Sequence, residues 1–333
     1  MKRVFIDGSA GTTGLRIRER LADRRDLELV ILTEETRKDV SARRDVLNAA
    51  DVAFLCLPDA AAIEAVALVE NPSTVIIDTS TAHRVAAGWE YGFPELEGRR
   101  GRLASARRIA NPGCHASGFI ALVEPLVRRG FLAADARLTA FSLTGYSGGG
   151  KKMIAAYHEG YHSNGAVDGD RQPSTAVDES VLLHGGRQYA LGQAHKHLPE
   201  MAAICGLVQA PCFSPIVVPH LSGMEVTVPL FREQLARAAT LDDLRQVYRD
   251  YYGKGGLVRA VDDPAAAEGG FLSSAGLSGR DDLEVSVYGN DERLLLVSRF
   301  DNLGKGASGA AIQNMNLAIG AAETEGLVVG GSR

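Results

Sequence analysis

Cysteine is scarce in this 333-residue chain: Cys56, Cys114, Cys205 and Cys212 are the only four, and no two share a C-x-x-C spacing. So few thiols cannot build a disulfide scaffold at this length, and their spacing excludes the common paired zinc and redox motifs, so a reducing, cytoplasmic setting is expected. No stretch approaches the ~20 apolar residues of a membrane span, and the N-terminal MKRVFIDG carries only a short apolar run, so neither export nor a membrane role is expected. Long basic stretches are missing as well. With a net charge of -5, nucleic acid is not an expected partner. Internal repeats and low-complexity segments are absent apart from a glycine-rich tail. What is present, 45% apolar and 23% charged residues, suits a globular chain of about two domains.

The first 110 residues alternate short apolar runs with helical patterns. RVFID, LELVIL, VAFLCLP and TVIID are continuous and rich in β-branched residues, as strands buried on both faces are. This predicts an α/β fold opening with a Rossmann-like, doubly wound parallel sheet, with function at the strand C-terminal ends. From Leu138 onward, LTAFSLTGY, PIVVP, MEVTVPL, LEVSVYG and LLLVSRF come with few helices between them. Leu283, Val285 and Val287 alternate with Glu284, Ser286 and Tyr288, the period of a sheet covered on one face. A second, α+β domain with a largely antiparallel sheet is therefore expected. Within it, Thr240 can cap a helix whose apolar face is Leu241, Leu244, Val247 and Tyr248. Ile312, Met315 and Ile319 stand at helical spacing, and this last helix is expected to return to the first domain. The expected division is 1–113 with 303–333 against 114–302. A half-covered sheet needs a partner, which predicts a homodimer or homotetramer.

Five local patterns carry chemistry. After the first strand, Gly8-Ser9-Ala10-Gly11-Thr12-Thr13-Gly14 forms a G-x-x-G-x-x-G turn into a helix, which lets backbone N–H groups approach a pyrophosphate. Gly14, Ile17 and Leu21 share one face, so the last glycine also lets that helix sit close to the sheet. The second strand ends in Thr33-Glu34-Glu35-Thr36-Arg37-Lys38: an acidic residue favours a free ribose hydroxyl, whereas Arg37 or Lys38 suits a 2′-phosphate. Asn111-Pro112-Gly113-Cys114 places Cys114 at a helix start, where unpaired N–H groups and a nearby imidazolium favour the thiolate, so Cys114 is the candidate nucleophile. In His195-Lys196-His197-Leu198-Pro199, the proline suits a first helical turn and leaves both histidines in the loop before it. Ser147, Gly148 to Gly150 and Lys151 form a turn able to bind an anion such as phosphate.

The segments FIDGSAGTTGLRIRERL, NPGCHASGFIALVEPLV, TGYSGGGKK, AHKHLPEM and DNLGKGASGAAIQNMN follow one another in the order found in the shorter form of the N-acetyl-gamma-glutamyl-phosphate reductases. The chain resembles that group, within the wider semialdehyde dehydrogenase family, over nearly its whole length. The resemblance implies an NADP-dependent oxidoreductase of arginine biosynthesis: reductive dephosphorylation of N-acetyl-glutamyl 5-phosphate to N-acetyl-glutamate 5-semialdehyde and inorganic phosphate. It makes the second domain the catalytic and oligomerisation domain and Cys114 the nucleophile that carries a thioester, and gives the acid/base role to His197, with His195 as the alternative. Gly8, Ala10, Gly11, Thr12, Thr13 and Gly14, with Arg37 and Lys38, would hold NADP, and Asn302, Leu303, Gly304 and Lys305 would lie near its nicotinamide. Ser147, Gly148 and Lys151 would meet phosphate. The family usually has an aromatic residue after the nucleophile and a threonine two places further on, where this chain has His115 and Ser117. His115 is a candidate for stabilising the Cys114 thiolate, and Arg171 and Lys196 are candidates for the substrate carboxylate.

Other readings compete. His158-Glu159-Gly160-Tyr161-His162 matches the H-E-x-x-H pattern of zinc hydrolases, but Gly160 weakens a helix by about 1 kcal/mol and no third ligand is evident, so no metal is expected. A reductase of another acyl phosphate, aspartyl or amino-adipyl, would use the same cysteine. A non-catalytic nucleotide sensor would tolerate loss of the thiol, and the presence of both the NPGC and the HKH segments argues against it.

Overall fold

The computed structural model describes residues 1–163, 182–253 and 255–330. Six strands, β1 (Lys2–Asp7), β2 (Leu27–Val30), β3 (Val52–Leu55), β4 (Val75–Asp78), β5 (Glu90–Tyr91) and β6 (Arg108–Ala110), form the first sheet. Their order is β2-β1-β3-β4-β6-β5 and every pairing is parallel. Helices α1 (Thr12–Leu21), α2 (Val40–Ala49), α3 (Asp59–Ala67) and α4 (Arg99–Ser105) connect them. Alternate residues of these strands enter two separate cores: Val4, Ile6 and Phe54 pack with Ile17 and Leu21, whereas Phe5, Ala53 and Leu55 pack with Leu47 and Ala65. Covering both faces is why these strands read as unbroken apolar runs.

The second sheet contains β7 (Thr139–Gly145), β8 (Arg187–Gln188), β9 (Cys212–Val218), β10 (Met224–Phe231), β11 (Val258–Ala260), β12 (Leu283–Gly289) and β13 (Arg293–Phe300), in the order β11-β12-β13-β10-β7-β9-β8. The pairs β12–β13, β13–β10, β10–β7 and β9–β8 are antiparallel, and β11–β12 and β7–β9 are parallel. The inner face, with Val226, Val228, Val285, Val287 and Leu296, packs on α5 (Cys114–Arg128) and α8 (Leu241–Tyr252). Helix α5 is buried all round from His115 to Leu126, and a Cβ at its Gly118 would stand 2.5 Å from Val226, so glycine allows the close approach to the sheet. Thr240 caps α8, accepting from the Asp243 N–H at 3.1 Å. Its buried stripe is Leu244, Tyr248, Tyr251 and Tyr252, with Leu241 and Val247 half-covered beside it. The tyrosines turn inward because their hydroxyls bond the α5 backbone: Tyr248 to Leu122 O at 2.6 Å and Tyr252 to Ala121 O at 2.8 Å.

Two further helices, α6 (Gly150–Ser163) and α7 (Leu198–Cys205), flank the second sheet, and α9 (Gly309–Ile319) closes the chain. Ile312 and Met315 of α9 enter the first-sheet core beside Val4 and Ile17, with Ile319 at its margin. Among the described residues no helix is long and apolar enough to cross a membrane.

Candidate active site

Four helices begin at one cavity of about 560 Å³ between the two sheets. Thr13 of α1, Cys114 of α5, Gly149 just before α6 and His197 just before α7 all line it. Each directs the positive end of a helix dipole at it, which makes the cavity suited to anions.

Cys114 follows β6 through a turn that only glycine permits. A Cβ at Gly113 would fall against Arg84, 2.5 Å from His197 Nε2 and 2.6 Å from Glu200 Oε1. The buried Glu200 carboxylate holds this turn, accepting from the Gly113 N–H at 3.1 Å, the Tyr91 hydroxyl at 2.7 Å and Arg84 at 2.6 Å. Arg84 also donates to Asn111 O at 3.0 Å, and the Asn111 amide donates to Ala307 O at 3.0 Å. From the opposite wall, a Cβ at Gly306 would come within 2.9 Å of Cys114 Cβ. Burial pushes the Cys114 thiol up, against the downward pull of Arg84, the His115 N–H and Lys196. The expected resting thiolate is therefore corrected to a thiol, because desolvation outweighs the helix N-terminus.

The loop before α7 carries both expected histidines into the cavity. Burial, with Arg84 next, holds His197 well below the usual imidazole range, and burial with Lys196 lowers His195 to about 4. Both rings are neutral near pH 7. His195 Nδ1 accepts from the His197 N–H at 3.2 Å, which puts its proton on Nε2. His197 Nδ1 is buried and has no hydrogen-bond partner among the described residues, while its Nε2 faces the Gly113 turn. His115 does not serve as a cation beside the sulfur. Its nitrogens are engaged by Ser142 at 2.6 Å and Tyr189 at 2.7 Å, and burial lowers it to about 3.

A second cavity, of about 410 Å³, runs along Gly8, Ala10 and Gly11 to Arg37, Lys38 and Arg43. Gly8 has φ +85° and a Cβ there would meet the Cys56 carbonyl, while one at Gly14 would stand 2.5 Å from Gly8 O. The turn thus folds tightly over the start of α1. No side chain caps that helix at Gly11, so its first N–H groups are open to a pyrophosphate, and the residues fit a dinucleotide. Arg43 pairs with Asp7 at 2.8 Å and Arg37 with Glu34 at 2.7 Å.

Not every expected contact faces the cavities. Asn302 and Leu303 line the Cys114 cavity, joined by Gly306 and Ala307. Asn302 accepts from the Gly223 N–H and donates to Ser147 Oγ, both at 3.0 Å. Lys305 instead turns into the protein, bonding Glu95 at 2.7 Å and Gln313 at 2.5 Å, because a buried ammonium needs an anionic partner. Gly304 packs against the Arg280 carbonyl. Gly148 lines the cavity, Ser147 lies buried behind it, and Lys151 points to solvent. Lys196 lines the cavity, whereas Arg171 and the His162 side chain lie outside the described residues. His158 packs edge-on against Tyr146, and no group of three metal-ligating side chains occurs among the described residues. Sequence reasoning missed Arg84, Arg187, Tyr189 and Glu200. Only Glu200 had a local signal, as the acid in the first turn after His197.

Two family models match the chain: the NAD-binding domain of semialdehyde dehydrogenase over residues 3–104 and its dimerisation domain over 114–302. An N-acetyl-gamma-glutamyl-phosphate reductase of Brucella ovis is 44% identical, covering 96% of this chain and 99% of that one. N-acetyl-gamma-glutamyl-phosphate reductase 2 of Nostoc sp. is 41% identical, covering 98% and 99%. Aspartate semialdehyde dehydrogenase from Francisella tularensis shares the fold at a TM-score of 0.72 and 13% identity, over 96% of this chain and 99% of that one.

Proposed function

The chain belongs to the semialdehyde dehydrogenase family, among its N-acetyl-gamma-glutamyl-phosphate reductases, and from that premise we propose that it reduces N-acetyl-glutamyl 5-phosphate to N-acetyl-glutamate 5-semialdehyde with NADPH, in cytoplasmic arginine biosynthesis. The observation that carries this reading is a thiol, Cys114, sharing one cavity with the neutral His197 and His195 and with Thr13 of the glycine turn. A neutral imidazole is the form that accepts a proton. His197 takes it from Cys114 as the sulfur attacks the acyl carbon, phosphate departs, and the acyl group remains as a thioester. A reduced nicotinamide cofactor held by Gly8, Gly11 and Thr13 of the glycine turn would supply the hydride for this thioester. His197 then gives its proton to the oxygen that becomes charged; as the C–S bond breaks it takes that proton back and returns it to the sulfur, which yields the aldehyde and restores the Cys114 thiol.

Gly8, Ala10, Gly11, Thr12 and Thr13 hold the pyrophosphate in this reading, and Arg37 and Lys38 the 2′-phosphate that distinguishes NADP. Asn302 and Leu303 border the nicotinamide, and Gly148 with the start of α6 receives the departing phosphate. Arg187 lines the cavity, donates to the Tyr157 hydroxyl at 3.1 Å and has no carboxylate partner among the described residues. We assign it, with Lys196, to the substrate carboxylate. Residues 1–113 with 303–333 form the cofactor domain and 114–302 the catalytic one. The outer face of the second sheet, with Phe141 and Leu295 exposed at 45% and 44%, meets a second copy. The reverse assay tests the function: with NADP and phosphate, N-acetyl-glutamate semialdehyde should be oxidised far faster than aspartate semialdehyde. Preference for aspartate semialdehyde would replace the substrate.

A further inference from the structure

We propose that Tyr189 is a further catalytic residue, donating a hydrogen bond to the acyl oxygen of substrate carried on Cys114, and that Ser142 and His115 aim it. This rests on the thioester reading given above.

The argument follows one hydrogen at a time. Ser142 lies on the covered side of β7 and is wholly buried. Its hydroxyl has one hydrogen-bond partner among the described residues, His115 Nδ1 at 2.6 Å. A buried O–H left undonated costs about 1–3 kcal/mol, so Ser142 donates and Nδ1 accepts. A neutral imidazole carries one proton, which must then sit on Nε2. Nε2 faces the Tyr189 hydroxyl at 2.7 Å, so His115 donates and the tyrosine oxygen accepts. That leaves the phenolic hydrogen free of any protein acceptor among the described residues. Tyr189 lines the same cavity as Cys114, and an ionised sulfur there would raise the phenol further. Burial pushes the phenol up from its ordinary range, so it stays a donor throughout the working range.

The direction is therefore built in. With the opposite tautomer, Tyr189 would donate to His115 and turn lone pairs toward the substrate, where an oxyanion would be repelled. Sulfur attack and hydride addition each move an electron pair onto the acyl oxygen, and a donor fixed beforehand stabilises both oxyanions without reorganising. No bond to Tyr189 forms or breaks. His115, next to the nucleophile where the family usually has another aromatic residue, thus acts as a positioning residue rather than as a charge.

The test is the reverse assay on folded variants. Removing one such donor from an oxyanion site costs about 10²-fold in turnover, so Tyr189→Phe should lower kcat by about that factor. KM for the semialdehyde should stay within about twofold, as for an interaction made only in the transition state. NADP affinity should be unchanged. Ser142→Ala frees the tautomer and should lower kcat by about tenfold, the equivalent of ~1.4 kcal/mol, while Ser142→Thr restores the hydroxyl and the rate. A kcat for Tyr189→Phe close to wild type, or a loss confined to KM, overturns the proposal. If Tyr189→Phe does not fold, Ser142→Ala decides: wild-type kcat in that variant overturns it. An inactive wild-type enzyme instead removes the thioester premise, which separates the two failures.

Discussion

The two sheets treat their faces differently. The parallel sheet is sealed on both sides, with Val4 and Phe54 in one core and Phe5 and Leu55 in the other. The mixed sheet is covered on one side by α5 and α8 and leaves Phe141 and Leu295 in solvent on the other. A sealed sheet works only at its strand ends, and its contribution here is a turn. A half-open sheet has a face to spare for association, and its covering helix brings Cys114, from the start of α5, into the cleft. In the proposed function, binding and reaction are thereby separable along the chain.

The sharpest way to break that separation is Cys114→Ser. Turnover should fall by about 10⁴-fold or more, as for loss of a covalent nucleophile, while NADP titration gives the wild-type affinity. If cofactor affinity falls with it, the two regions are not independent. Gly8→Ala probes the other side. At φ +85° and against the Cys56 carbonyl, an alanine costs about 1–3 kcal/mol in strain and displaces the turn, so the melting temperature and NADP affinity should both drop while the thiol still reacts with an alkylating probe.

Acid should strike the second region selectively. The unfolded chain takes up protons near pH 6.5, whereas folded His115 does so near 3 and His195 near 4. Between those limits the unfolded state binds more protons, so stability rises with pH through this window and is lost on acidification. The slope is about 1.4 kcal/mol per pH unit for a ring as buried as His115. Melting temperatures from pH 7 down to 4 should show it, and His115→Phe should flatten it; an unchanged slope would detach the effect from this ring. The smallest expected effect is on the open face. Phe141→Glu should shift sedimentation toward monomer with little change in core stability, since surface substitutions stay within about ±0.5 kcal/mol. A variant that sediments as wild type would mean this face is not the one that associates.

What could be read in advance was local. The glycine turn, the NPGC helix start and the HKH loop each lie within a few consecutive residues, and period-two and period-3.6 patterns separate the sheets and place Ile312 and Met315. Glu200 reaches Tyr91, 109 positions away, and Arg84 reaches Glu200 across 116. No short-range pattern marks such pairs. Lys305 was misplaced because a motif does not say which side of its turn meets the groove, and Glu95, far upstream, decides it. The acidity of Cys114 is not legible in its sequence because burial, the dominant influence, is a property of the packed chain.

Helix α9 has a consequence for how the molecule is made. Its Ala311, Ile312 and Met315 complete the same core as Val4, Ile6 and Ile17, so strands made early wait for a segment far downstream. Until α9 emerges, one flank of the first sheet stays wet and adhesive, and the second sheet must emerge and fold as a long insertion while that flank is held open.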